Sequence, residues 1–294
     1  MRKFILGTDW WTDCDDAVAV RLITRAHKRK EIELLGICIN ACMEHSVSSL
    51  SAYLQAENAD DIPLGIDKDG TDFYGVPKYQ YFLSEMKSRY KNNNDAPDGV
   101  SLYRTLLARS DAKVELAEIG FSQVLMNLLL SEPDDVSPLN GTELVKEKVS
   151  KLWMMAGKWD KDGEKEHNFC NNERSRKAAA YICESFPAPI TFLGFEVGES
   201  VITGGELKED DILKKIMNAH GSFNGRCSWD PMLVLCALTG DEEKAGYTTV
   251  KGKASVNEST GQNYFIKDEN GKHQYLIKKY SDDYYKDLIN KLIK

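Results

Sequence analysis

The sequence predicts an α/β protein: an open, mostly parallel sheet flanked by helices, with antiparallel strands near the C-terminus. Three observations carry this expectation. Through the front half, short apolar runs alternate with segments of helical period, the βαβ grammar of a parallel sheet with right-handed crossovers. Beyond residue 247 the pattern changes to polar–apolar alternation broken by Gly and Asn turns, which favours antiparallel pairing. Finally, Asp9, Asp13, Asp15 and Asp16 crowd between the first apolar run and the first helical segment. Loops at the carboxyl edge of a parallel sheet are where such α/β folds gather ligand-binding groups.

The elements follow in order. Lys3 to Thr8 reads as a strand around Phe4-Ile5-Leu6, and Asp16 to Lys28 as a helix with acidic residues in its first turn. Ile32 to Ile39 is a second strand, Glu44 to Glu57 a helix, and Pro63 to Ile66 a short strand. Lys91 to Gly99 is a polar, turn-rich loop, open to a reading as lid or as plain surface. Ser101 to Ser110 is helical, Val114 to Gly120 a strand, and Ser122 to Leu130 a helix stopped near Pro133. Lys151 to Ala156 and Pro189 to Phe195 read as strands, separated by a helix from Ser175 to Ser185. Ser228 to Leu238 is apolar enough for a buried helix. Thr248 to Val256, Gln262 to Ile266 and Gln274 to Lys278 form the antiparallel tail, and Asp282 to Lys294 an amphipathic helix. No repeat, low-complexity linker or composition break divides the chain, so residues 1–294 are expected to form one domain.

Composition narrows the function. An apolar fraction of 42% with 10% aromatics belongs to a folded globular chain. A net charge of −8, with no basic stripe denser than Lys28-Arg29-Lys30, argues against nucleic acid as a partner. No segment approaches the roughly 20 apolar residues needed to span a bilayer, so no membrane partner is expected. The seven cysteines are dispersed and lack CxxC spacing. Together with an N-terminal apolar run too short for a signal peptide, they suggest reduced thiols in a cytoplasmic protein.

Residues just beyond each expected strand should converge. They are Asp9, Asp13, Asp15 and Asp16; then Asn40; then Gly120 to Gln123. They continue with Glu166, His167, Asn168, Asn171 and Asn172, then Glu196 and Gly198. Arg226, Ser228, Trp229 and Asp230 precede the buried helix. This set is rich in carboxylates and carboxamides, poor in histidine, and has no Gly-rich phosphate loop. It suits an oxygen-coordinated cation beside a polyhydroxylated ligand. An acidic N-cap would account for one or two of the four N-terminal aspartates, but a surplus of repelling carboxylates calls for a cation.

In four separated segments, from Lys3 to about Gly240, the chain resembles the nucleoside hydrolases, the inosine–uridine-preferring family and its bacterial relatives. Thr8-Asp9 to Asp15-Asp16-Ala17 is similar to the family's aspartate cluster in its longer form, and Gly120-Phe121 to Val124 to its Gly-Pro-Leu-Thr-Asn loop. Met154-Met155-Ala156-Gly157 with Glu166-His167-Asn168 resembles the Met-Gly-Gly strand and its Glu-Phe-Asn. Ser228-Trp229-Asp230-Pro231 resembles the late metal-binding segment. The resemblance implies a nucleoside hydrolase-like domain with a Rossmann-like core, a bound calcium ion, and cleavage of a ribonucleoside or related N-riboside to ribose and free base. It implies that Asp9 is a calcium ligand and the general base, Asp16 a bidentate ligand, and Asp230 the ligand closing the site. Gln123 would offer its main-chain carbonyl. Asp15, Asn40, Glu166 and Asn168 would hold ribose hydroxyls or flank the water, and Trp229 would stack on the ring of the leaving group. The family's habit also leaves a homodimer or a homotetramer open.

The chain departs from that pattern in four places. Gly7 stands where the family has its first aspartate, and Trp10-Trp11 follow Asp9, as packing or as a stacking wall, with packing preferred. Gln123-Val124 replaces Thr-Asn. Trp229 replaces a histidine implicated in protonating the leaving group; His167 is a substitute donor or an exposed loop histidine. A non-catalytic nucleoside- or ribose-binding descendant of the fold is therefore the alternative reading. A magnesium phosphatase would need a second acid where Trp11 stands.

Overall fold

The computed structural model describes residues 1–294. Its strands are β1 (Arg2–Thr8), β2 (Ile32–Ile39), β3 (Leu64–Ile66), β4 (Val114–Glu118), β5 (Val149–Met155), β6 (Glu164–Lys165) and β7 (Ile190–Leu193). After them come β8 (Ile202–Thr203), β9 (Arg226–Cys227), β10 (Tyr247–Val256), β11 (Gln262–Lys267) and β12 (His273–Lys278). Ten of them form one sheet in the order β3-β2-β1-β4-β5-β7-β12-β10-β11-β6, while β8 and β9 pair only with each other. Every neighbour from β3 to β12 is parallel, and β10, β11 and β6 add an antiparallel edge.

The fold class read from the sequence is therefore the one observed, with one difference in the tail. The last three strands pair antiparallel with one another, β10 lying between β12 and β11, but β12 is also joined to the parallel part. His273, Gln274 and Tyr275 of β12 pair in parallel with β7, so the chain returns to extend the parallel part.

Side-chain alternation along the strands separates two apolar layers. Phe4 and Leu6 of β1 pack with helices Asp15–Lys28, Ser46–Ala56 and Trp229–Thr239, whereas Ile5 faces helices Gly99–Arg109 and Gln123–Leu130. Trp153 and Met155 of β5 point the first way, Leu152 and Met154 the second. This period of two on a sheet buried on both faces produces the continuous apolar runs seen in the sequence. Strand order reverses between β1 and β4, and the crevice at that switch point lies beyond Thr8.

Some elements are shorter than expected, and others were not foreseen. β4 ends at Glu118, because the Gly120 N–H turns back to its side chain at 3.0 Å. β7 ends at Leu193, and Phe195 begins a short turn of helix. Helices Gly141–Lys148 and Ile212–His220 escaped notice because each buries only a few apolar side chains. Asn93 of the Lys91–Gly99 loop donates to Met43 O at 2.6 Å and accepts from Val47 N at 3.0 Å, so this loop is pinned to the surface and lines no part of the site. All seven cysteines are free thiols, and no helix is long and apolar enough to cross a membrane.

Candidate active site

The chain leaves β1 at Thr8 and reaches helix Asp15–Lys28 through a loop that folds the aspartates together. Trp10 makes the turn with φ +46°, a left-handed conformation that costs a bulky residue about 1–2 kcal/mol. Its buried indole offsets that cost: the ring stacks on Tyr53 at 5.6 Å, meets Tyr79 edge-on at 5.3 Å, and donates to Ser49 Oγ at 2.8 Å. Trp11 is also buried and donates to Tyr74 O at 2.9 Å. Neither tryptophan lines the cavity, which makes both packing residues.

The turn brings Asp9 and Asp16 to the same place. Thr8 Oγ1 donates to Asp16 Oδ1, the Trp10 N–H points at the same oxygen at 3.2 Å, and the Trp11 N–H binds Asp9 Oδ1 at 3.1 Å. The helix is capped by Cys14, whose side chain makes no cap hydrogen bond. Capping therefore does not account for the acidic cluster. Helix Trp229–Thr239 arrives from the other side with its N-terminus pointing inward, and the Asp230 N–H donates to Asp15 Oδ2 at 3.2 Å. Two helix N-termini thus meet over one group of carboxylates, where their dipoles favour negative charge.

Carboxylate oxygens of Asp15, Asp16 and Asp230 lie within 4.8 Å of one another, and all three residues are buried. Burial first, then mutual repulsion, holds the Asp9, Asp15 and Asp230 carboxyls far above the usual carboxylate range, and burial pushes Asp16 up to about 7. Such a group is costly as bare anions and well suited to sharing a hard divalent cation through oxygen. The donor set fits the ion implied by the resemblance.

These aspartates form one end of a cavity of about 260 Å³, whose other walls include Thr12, Asp13, Met155, Glu166, His167, Asn168, Phe195, Arg226 and Trp229. Glu166 accepts from the N–H groups of Asn168 at 2.8 Å and Gly157 at 2.9 Å, yet burial still pushes it up to about 7. Asn168 is fixed by its amide donating to Met155 O at 2.9 Å. Phe195 and Trp229 stack at 5.2 Å, and the Trp229 indole N–H is already given to Phe195 O at 2.8 Å. Arg226 lies 5.4 Å from the Trp229 ring and grips both oxygens of Asp13 at 2.6–3.1 Å. Burial alone would raise Asp13, but the Arg226 hydrogen bonds and charge outweigh it and hold this carboxyl below its ordinary value.

Seven of the nine site residues read from the sequence thus line one cavity: Asp9, Asp15, Asp16, Glu166, Asn168, Trp229 and Asp230. Asn40 and Gln123 stand behind its wall. The Asn40 side chain donates to Glu118 at 2.7 Å and accepts from Phe121 N at 2.9 Å, so it braces the turn after β4. The Gln123 amide is spent on Asn40 O and on Asp67 Oδ2 at 2.9 Å. Glu118 was missed by sequence reasoning. It is buried, its Oε2 has no partner, and burial raises its pKa to about 8. The signal lay in the opposite strand: Glu118 is the register partner of Gly7, the position where the resemblance lacked an aspartate.

The fold is the nucleoside hydrolase fold. No family model and no curated protein matches the chain; solved structures do. The inosine–uridine-preferring nucleoside hydrolase of Bacillus anthracis superposes with a TM-score of 0.70 at 15% identity, over 100% of this chain and 99% of that one. A purine-preferring ribonucleoside hydrolase from Gardnerella vaginalis gives 0.72 at 15% identity, over 99% and 98%. The type III effector XopQ, solved with adenosine diphosphate ribose, gives 0.66 at 14% identity, over 100% and 93%. The chain has the nucleoside hydrolase fold along its whole length.

Proposed function

We propose that this protein is a calcium-dependent N-ribohydrolase, cleaving the N-glycosidic bond of a ribonucleoside or related N-riboside to ribose and free base. The observation that carries this reading is the gathering of Asp15, Asp16 and Asp230, distant in sequence, within 4.8 Å of one another, with Asp9 lining the same cavity. Asp9, Asp16 and Asp230 would hold the ion; the main-chain carbonyl of Gln123, which the resemblance implied as a further ligand, lies outside the cavity lining at the start of helix Gln123–Leu130. When bound, it supplies a polarised water and an anchor for ribose hydroxyls.

This chain's residues do the rest. Asp9 takes the proton from the attacking water. The surrounding carboxylates favour the positive charge that develops on the sugar as the C1′–N bond lengthens. Asp15, Glu166 and Asn168 orient the ribose hydroxyls, and Trp229 packs against the leaving ring. Hydrolase activity on small nucleosides also agrees with the named activities of the two hydrolases above.

Reducing-sugar release from a nucleoside panel, with and without chelator and with Asp9→Asn, tests the proposal. Ribose release that needs both calcium and Asp9 supports it. Tight nucleoside binding without release would instead select the non-catalytic reading. Release from no N-riboside overturns the enzymatic reading.

A further inference from the structure

A second cavity, of about 240 Å³, shares no lining residue with the acidic site. Its walls are Ile202 of β8, Gly205 and Glu206 just after it, Asn224 before β9, and Lys286 and Asn290 of the C-terminal helix Asp282–Ile293. Glycine lets the two turns of the β8–β9 hairpin close on each other beside this cavity. Gly204 and Gly225 turn with φ +83° and +105°, and a Cβ on Gly205 would strike Asn224 O.

The polar side chains here are mostly donors without acceptors. Asn290 is only 5% exposed, and its Oδ1 accepts the Gly204 N–H at 2.9 Å. That bond fixes the amide's orientation and leaves Nδ2, a double donor, on the cavity with no acceptor in the protein. Such a group is costly to bury unpaired. Lys286 is half-buried, four residues earlier on the same helix face, and its ammonium makes no ion pair. The one acid in the wall, Glu206, is held by Lys294 at 2.7 Å. Lys286 and Lys294 thus face a single carboxylate, a local positive excess in a chain of net charge −8.

We propose that this cavity binds a small tetrahedral oxyanion, a phosphate or the phosphate end of a phosphomonoester, between Lys286 and Asn290. An ammonium and an amide suit an anionic oxygen. Donors that arrive from a helix and, through Asn224, from a separate turn call for oxygens pointing several ways, which a planar carboxylate does not offer. The anion ties the C-terminal helix to the β8–β9 hairpin, and the hairpin runs into the active cavity. Thr203 is the register partner of Arg226, and its Oγ1 shares a hydrogen bond with Ser228 Oγ at 2.7 Å. Arg226 and Trp229 line the acidic cavity. Anion binding therefore braces the strand that carries Arg226, whatever reaction the cavity performs.

Calorimetric titration of the full chain in chelator, with inorganic phosphate, glycerol 3-phosphate and acetate, tests the site without any turnover. Sodium chloride at matched ionic strength controls for screening. Phosphate should bind and raise the melting temperature beyond the chloride control, and acetate should not. Lys286→Met should weaken phosphate by at least about tenfold. Asn290→Asp keeps an oxygen for the Gly204 N–H and should weaken it as much. Arg226→Gln should leave phosphate binding unchanged, because only an anion seated in the acidic cavity would depend on that side chain. Tighter binding of glycerol 3-phosphate than of phosphate assigns a phosphomonoester as the occupant, and the reverse assigns free phosphate. Hydrogen exchange should slow at Gly204, Gly205, Arg226 and Cys227 when phosphate is present. Absence of phosphate binding, equal binding of acetate, or binding undiminished by Lys286→Met overturns the proposal. Should Asn290→Asp fail to fold, Lys286→Met alone decides.

Discussion

The Glu118 carboxylate on β4 occupies the space that Gly7 leaves vacant on β1. The two residues are directly paired in the sheet, and a Cβ added at Gly7 would meet Glu118 Oε2 at 2.1 Å. A buried acidic group is thus kept beneath the aspartate cluster, but it is carried by the neighbouring strand. Its other oxygen receives the Asn40 amide and the Gly120 N–H, which set the turn running beside Asp9.

That pairing predicts strong coupling between positions 7 and 118. Gly7→Ala should destabilise by about 1–3 kcal/mol through overpacking, and Gly7→Asp by at least as much. Glu118→Ala frees the space and leaves a cavity. The double variant Gly7→Asp/Glu118→Ala should recover much of both losses. Denaturant unfolding of the four proteins gives the interaction energy, and strict additivity would refute the exchange of carboxylates.

The same residues show what a lone sequence can convey. The aspartate cluster was legible because acidic residues between an apolar run and a helix have few other reasons to accumulate, and Asp230 because it opens an apolar helix. Parallel strands were legible from runs buried on both faces. Glu118 was hidden because it closes a strand in a position that reads as a polar end, and its meaning depends on register with Gly7. Asn40 shows the limit of such reasoning: position after a strand shows proximity to the site, but not whether the side chain turns to the cavity or, as here, back to brace a loop. The left-handed turn at Trp10 could not be anticipated either, since the tertiary packing of its indole overrides local preference.

Glu118, Asp16 and Glu166 give the metal-free protein a definite pH response. Burial raises their folded values to about 8, about 7 and about 7, above ordinary values of 4.5, 3.8 and 4.5. For a carboxyl raised on folding, stability is fully present below the unfolded value and is lost as pH rises through the folded one. The melting temperature in chelator should therefore fall from about pH 4 to about pH 8. Glu118→Gln should flatten the upper part of that window, and an unchanged profile would show that Glu118 is already ionised in the fold.

Calcium should invert that slope. Ligand carboxylates must lose their protons to bind the ion, so calcium-dependent stabilisation grows with pH. At about a hundredfold excess over its Kd, the ion should add about 2.7 kcal/mol. Asp16→Asn or Asp230→Asn should abolish most of this gain, while costing the metal-free protein little, since each removes a buried acid from a crowded group. Thermal unfolding with and without chelator measures both effects; identical curves for the parent protein would show that the aspartates hold no cation.

Asp9 separates binding from chemistry. Asp9→Asn retains an oxygen for the ion but cannot accept a proton, and its backbone contact to the Trp11 N–H survives through the amide oxygen. Calcium should still raise the melting temperature of this variant, by less than in the parent, and a ribose-containing ligand should still bind. Ribose release should drop about 10²–10⁴-fold, the range that a positioned general base supplies, with the loss falling on kcat rather than on KM. A variant that loses calcium stabilisation and keeps its turnover would reverse the two roles and assign the base to another carboxylate in the cavity, with Asp15 and Glu166 the first to test.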